Sequence, residues 1–438
     1  MKKSAVTIFL LVLAFVTLIA GCSVKEEHYA LSRFISPDIC GGCHDEIYSQ
    51  WSGSTHQLAH DDIIYLTSSS DGLKGLTDKD EIEEAELCVK CHTPVGYVSG
   101  YPLKTSDDKS KIQEPAIHGV QCDYCHSVEG AYAVYNAKFK HDPGNGDSDP
   151  GNKRGPFDDS QSDFHKCSFS EFHTRSEMCG TCHDVRHVVF GTRLENTYQE
   201  WKSSKYNKEG VQCQDCHMYQ REGVPGTGST ARLLNPGKAS ADGPDRKHIF
   251  THYFIGGNTI LPTIGKDKLQ KEMAEERLRN AAVISVDGFE GDSIRIRILN
   301  NGAGHYIPTG LTHVRQAWIR IIVRDKKGKI VYSSGVVDSK GNITGKPSIY
   351  GTVFGDGKGN PVSNIAKARE ILSDNRLKPD EEKIEKINIG EVTGKLTVEV
   401  ALLYRGLDQS IADSITELKK IKVPVVVMHE AKAVIEKK

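Results

Sequence analysis

The stretch Gly210-Val211-Gln212-Cys213-Gln214-Asp215-Cys216-His217 carries the pattern that decides the fold: two cysteines two residues apart, with a histidine directly after the second. The pattern recurs at Cys40-Gly-Gly-Cys43-His44, Cys88-Val-Lys-Cys91-His92, Cys122-Asp-Tyr-Cys125-His126 and Cys179-Gly-Thr-Cys182-His183, five times in all. Cys-x-x-Cys-His is the attachment signature of c-type haem. The two thiols form thioethers with one porphyrin, and the histidine turns back to the iron as proximal ligand. Structural zinc also uses Cys-x-x-Cys pairs, but it takes four ligands per site and needs no histidine after the second cysteine. All five pairs have that histidine. The sequence therefore predicts five covalently bound c-type haems, with His44, His92, His126, His183 and His217 as proximal iron ligands.

Working outward, the other cysteines are nearly accounted for. Of 12 in the chain, ten belong to the motifs, Cys22 follows an apolar leader, and Cys167 is left over. Lys2 and Lys3 precede an apolar run from Ala5 to Ala20, too short for a comfortable membrane span, and Leu18-Ile-Ala-Gly-Cys22 closes it. This reads as a lipoprotein signal peptide over 1–21, with a lipidated Cys22 and an anchored tether over 22–35. Ser23 after that cysteine points to an outer-membrane lipoprotein, on the periplasmic face or the cell surface of a bacterium. The formal charge of −2 gives no sign of a nucleic-acid partner. For Cys167 the expectation is a buried, inert thiol.

The expected fold class is α+β. A mostly helical, loop-rich pentahaem domain over 36–256 is followed by a connecting loop and helix over 257–281. An all-β sandwich of the Ig-like kind then fills 282–438. In the first part the porphyrins themselves make up much of the core, and His141–Asp163, rich in Gly, Pro, Asp and Ser, reads as loop. In the last part Ser293–Ile298 alternates with period two. Ala317–Val323, Ile330–Tyr332, Leu396–Tyr404 and Val423–Met428 read as further strands. Lys266–Ala281 reads as a charged connecting helix. An internal echo is visible too. Tyr48-Ser-Gln-Trp51-Ser-Gly-Ser54 matches Tyr198-Gln-Glu-Trp201-Lys-Ser-Ser204, and Gly119-Val-Gln-Cys122 matches Gly210-Val-Gln-Cys213. A duplicated module accounts for both, the first copy carrying the extra motif at Cys88.

Each iron has a sixth position to fill. Methionine is scarce: five in the chain, including Met1, with Met178 and Met218 flanking motifs too closely and Met273 and Met428 outside the haem domain. Histidine is abundant, 18 in all, so bis-histidine iron of low potential is expected. The distal candidates are His56, His118, His165, His173, His187, His252 and His305. His60, His141, His248 and His313 are weaker, and His429 reads as structural.

Across most of 36–410 the chain resembles multihaem cytochromes of the cytochrome c554-like class. The strings that carry the resemblance include Cys88-x-x-Cys-His-Thr-Pro94, Gly-Val-Gln-Cys122-Asp-Tyr-Cys-His, Ser176-Glu-Met-Cys-Gly-Thr-Cys-His183, Glu200-Trp-Lys-Ser-Ser and His252-x-Phe-x-Gly-Gly-Asn258. The resemblance favours His56, His165 and His252 as distal ligands. It implies electron transfer along the haems in an anaerobic respiratory or extracellular pathway. The partners would be other periplasmic or outer-membrane cytochromes, or a porin-cytochrome conduit. It equally admits a terminal reductase of a small oxyanion (nitrite, tetrathionate or selenite) at one haem with an open axial position. The fifth motif departs from a four-haem pattern, and no Cys-x-x-Cys-Lys, a mark of some multihaem reductases, occurs.

Overall fold

A computed structural model describes residues 27–224 and 233–437. Residues 1–21, expected to be a lipoprotein signal peptide, and Cys22 lie outside the described residues.

Regular structure is brief before residue 256. Short helices bracket the motifs, among them Pro37–Gly41 and Asp45–Trp51, Val89–His92, Cys122–His126, Ser176–Gly180 and Cys213–His217. The longest there, Ile63–Leu73, has 11 residues and an Asp62 cap accepting from the Ile64 and Tyr65 amides. The apolar clusters are small. One gathers Phe34, Val95, Ile112, Ala116 and Tyr124, and another Tyr198, Trp201, Tyr206 and Val211. The stretch His141–Asp163 is not loop throughout. Asn152–Gly155 pairs in parallel with Lys166–Phe169. Its Gly and Pro residues set the turns on either side, while the carbonyl of Arg154 accepts from His126 Nδ1, so this backbone is pinned beside a proximal ligand.

The echo is structural as well. The rings of Tyr48 and Trp51 lie 5.7 Å apart, and those of Tyr198 and Trp201 5.6 Å. Trp51 Nε1 donates to the carbonyl of Val120 and Trp201 Nε1 to that of Val211, each just ahead of a Gln-Cys. A Cβ on Gly180 would come 2.3 Å from the Tyr198 ring, which explains the small residue inside that motif.

The connecting helix runs Lys268–Arg279. Beyond it, β1 (Val283–Glu290), β2 (Ser293–Leu299), β3 (Gln316–Arg324), β4 (Ile330–Ser334), β5 (Glu382–Asn388), β6 (Gly394–Arg405) and β7 (Val426–Lys437) form two antiparallel sheets. The orders are β5-β2-β1 and β4-β3-β6-β7. Period-two side chains from both sheets meet in one core: Ile294, Ile296 and Ile298 face Ile319, Ile321, Val398 and Val400. The expected strands are present, the first four longer by a residue or more. The last begins at Val426 and not at Val423, and it extends well past Met428 to Lys437, since its exposed positions alternate with half-buried ones too weakly to stand out in sequence. β1, β5 and a small sheet of Thr352–Gly355, Pro361–Val362 and Glu370–Asp374 carry mixed polar patterns and were not expected. His429 is structural, its Nδ1 accepting from the amide of Ile284 across the two sheets.

Candidate haem centres

All ten motif cysteines and all five motif histidines line one continuous cavity of about 2200 Å³. Protein interiors are otherwise close-packed, so a cavity of this size is a cradle for bulky groups held by the residues around it. Among the described residues, no three His, Cys, Asp or Glu converge in one metal-ion cluster.

Four of the five motif histidines are oriented alike. Nδ1 of His44, His126 and His217 donates to the carbonyls of Ala239, Arg154 and Ile255, each at 2.6 Å, and that of His92 to Ala59 at 2.9 Å. This fixes the tautomer and leaves Nε2 for iron. His183 differs, its Nδ1 donating to the carboxylate of Glu195 at 2.9 Å.

Four proximal rings face a second imidazole. Ring centres are 6.4 Å apart for His44 and His165, His183 and His56, and His126 and His252, and 6.3 Å for His217 and His305. With a metal–nitrogen bond of roughly 2 Å and roughly 1.2 Å from Nε2 to its ring centre, two imidazoles sharing one iron stand roughly 6.4 Å apart. The residues therefore fit haem. Nδ1 of His165, His252 and His305 donates to the carbonyl of Lys166, Phe250 and Tyr306, each at 3.0 Å, again leaving Nε2 free. Burial pushes His56, His217 and His252 down to about 3, which keeps the imidazole neutral as a metal ligand must be. For His183 burial also pulls down, but the hydrogen bond to Glu195 and its charge outweigh it and the group is raised.

Three sequence candidates are placed otherwise. His173 lies 5.8 Å from His126, yet its Nε2 donates to the carbonyl of Cys125 and its Nδ1 accepts from Ser170 Oγ, so neither nitrogen is free. His187 Nε2 donates to the carbonyl of Ala366, and its Nδ1 accepts from the amides of Val189 and Phe190. His118 Nε2 is bound to the Glu114 carboxylate at 2.7 Å. Cys167, half-buried, has its Sγ 3.5 Å from His165 Nδ1. His92 has no imidazole set opposite it among the described residues. Its ring is stacked face to face on Tyr65, 3.8 Å between centres, and the Tyr65 hydroxyl is buried without a partner.

His305 comes from the β2–β3 loop of the sandwich. That loop is held by Glu200, which precedes Trp201 of the second module. Glu200 Oε2 accepts from the Tyr306 amide and Thr309 Oγ1, and Oε1 pairs with Arg376 at 2.5 Å in a buried ion pair. A Cβ on Gly302 would come 1.8 Å from the Asn280 carbonyl, so only glycine lets the loop pass. The motif cysteines also approach one another across sites: Cys40 lies beside Cys122, Cys91 beside Cys182, and Cys179 beside Cys213.

Residues 39–127 match the family model described as cytochrome c554 and c-prime. Over that stretch the chain is similar to this family. The whole chain shares its fold with a penta-haem cytochrome c552 from Thermochromatium tepidum, at 19% identity and a TM-score of 0.60, over 92% of this chain and 100% of that one. No curated protein matches it. Glu195 and Tyr65 carried no sequence signal, since neither belongs to a motif and each meets its histidine only through the fold.

Proposed function

We propose that the protein is a multihaem c-type cytochrome, one that holds five c-type haems and relays electrons along them. The observation that carries this reading is the set of four imidazole pairs at one-iron separation around a single cavity. In it, His44 with His165, His183 with His56, His126 with His252 and His217 with His305 would hold the haem irons. Two imidazoles per iron would keep these centres at low potential, since the alternative Met ligand raises it. The three close cysteine pairs make neighbours of the first and third motifs, the second and fourth, and the fourth and fifth. Thioethers bind the porphyrin edge, so close approach between them would bring macrocycle edges together.

The N-terminal lipobox supports a lipid anchor at Cys22, and with it a place at the outer membrane of a bacterium. There the cytochrome would pass electrons between a periplasmic donor and another cytochrome or a porin-cytochrome conduit, in anaerobic respiration. Intact mass tests the haem count. Electron paramagnetic resonance tests the ligation: four low-spin bis-histidine signals are expected, and His305→Ala converts one of them to high spin. A chain with fewer attached haems, or an unchanged His305→Ala spectrum, overturns the assignment.

A second reading rests on His92, whose ring is covered by Tyr65 and, among the described residues, faces no second imidazole. An iron there with an exchangeable position would suit a terminal reductase of a small oxyanion such as nitrite, tetrathionate or selenite. Addition of carbon monoxide or nitrite to the reduced protein then changes the haem spectrum. A spectrum that does not respond rules out this reading and leaves the relay.

A further inference from the structure

We propose that Glu195 sets the haem at Cys179 and Cys182 to the lowest potential of the four bis-histidine centres, at the point where the haem chain branches. The inference rests on a haem being attached there.

Four proximal histidines donate Nδ1–H to backbone carbonyls, which are neutral acceptors. His183 alone donates to a carboxylate, and the Glu195 side chain is 15% exposed, so water screens it little. A carboxylate on Nδ1 draws the proton toward itself and makes the imidazole a stronger donor to the metal. A stronger donor, with a negative charge close by, favours Fe(III) over Fe(II). Arg315 lies within electrostatic range of Glu195 but donates its own hydrogen bond to the Thr309 carbonyl. It offsets part of the charge through space and leaves the hydrogen bond to His183 in place.

The position of this site gives the effect its meaning. Cys182 lies beside Cys91 of the second motif and Cys179 beside Cys213 of the fifth. Its distal ligand His56 and the third centre's His252 both pack on Phe254, at 4.4 and 5.3 Å between ring centres. The fourth site thus adjoins the second, third and fifth. Each transfer moves one electron, one iron going from Fe(III) to Fe(II) as its neighbour goes from Fe(II) to Fe(III), and the Nδ1 proton stays on His183. A low-potential junction passes electrons between branches without holding them, so charge resides on the centres to either side.

The test is a potentiometric titration of the holoprotein, followed by visible and electron paramagnetic resonance spectra, for wild type, Glu195→Gln and Glu195→Asp. Glu195→Gln keeps an acceptor for Nδ1 and removes the charge. One centre is expected to become about tenfold easier to reduce, a positive shift of about 59 mV for one electron, with spin states unchanged. Glu195→Asp withdraws the carboxylate by one methylene and is expected to shift the same centre in the same direction. If Glu195→Gln superimposes on wild type, the proposal fails. A shifted Glu195→Gln with an unshifted Glu195→Asp also overturns it, because the charge then acts through space and not through the ligand. Peptide mass of the wild type separates the two levels. An unmodified Cys179–Cys182 peptide overturns the haem reading at this site, whereas a modified peptide with an unmoved potential overturns only the role of Glu195.

Discussion

Residues 36–256 and the sandwich after them both hide backbone and apolar side chains from water, but with different material. The sandwich does it with its own side chains. Period-two strands put Ile294, Ile296, Ile298, Ile319, Ile321, Val398 and Val400 into one core. The haem region has small separate clusters arranged round a cavity of about 2200 Å³. Its helices are too short to be stable alone, and its central cavity is lined by all ten motif cysteines. One region carries its core in its own side chains, and the other surrounds a cavity with reactive ones. They meet where the sandwich brings His305 to within 6.3 Å of His217.

The largest expected effect separates the two. A chain produced without haem attachment should lose the structure of 36–256 and keep the sandwich. Limited proteolysis is expected to leave a resistant fragment close to 282–437 and little else. Equal resistance along the whole chain would break the comparison.

Next in size is the seam. Arg376→Ala leaves Glu200 buried without its partner, at a cost of about 3–5 kcal/mol. It also loosens the His305 loop, so a lower thermal midpoint should come with one low-spin signal turning high-spin. Loss of stability with intact ligation would mean that the loop is held from within the sandwich alone.

The seam also has a pH dependence. Burial pushes Glu84, which accepts from the Val188 amide beside His187, up from 4.5 to about 7. Below pH 4.5 the carboxyl is protonated in the folded and unfolded chain alike. Between 4.5 and 7 only the unfolded chain ionises it, so stability falls as pH rises through that window, by up to about 3 kcal/mol at 1.36 kcal/mol per unit. Glu84→Gln should flatten that fall in denaturant titrations run at both ends of the window.

The smallest effect probes the duplication. Trp51→Phe and Trp201→Phe each remove the donor to a valine carbonyl ahead of a haem motif. Each is expected to cost about 1–3 kcal/mol in chemical unfolding, and by similar amounts if the modules are equivalent. Strongly unequal costs would show that the two copies have taken on different structural work.

Legibility in the sequence followed locality. The strands with clean alternation, Ser293–Leu299 and Gln316–Arg324, were readable, while β1 and β5, half-buried with mixed side chains, were not. The pairing within 152–169 was hidden because Gly and Pro mark turns but not which backbone they bring together. Among the seven distal candidates, chain position did not separate His252 from His173, both near His126. Only the hydrogen bonds on their nitrogens do that.

By itself the sequence marked the five Cys-x-x-Cys-His motifs and the histidine that belongs to each, because both lie within five covalently linked residues. The tertiary structure decided which histidine stands opposite each of four motif histidines, and that among the five His183 alone donates to a carboxylate. Those choices depend on directions in space between residues far apart in the chain. His217 and His305, 6.3 Å apart across two domains, are linked by no local rule.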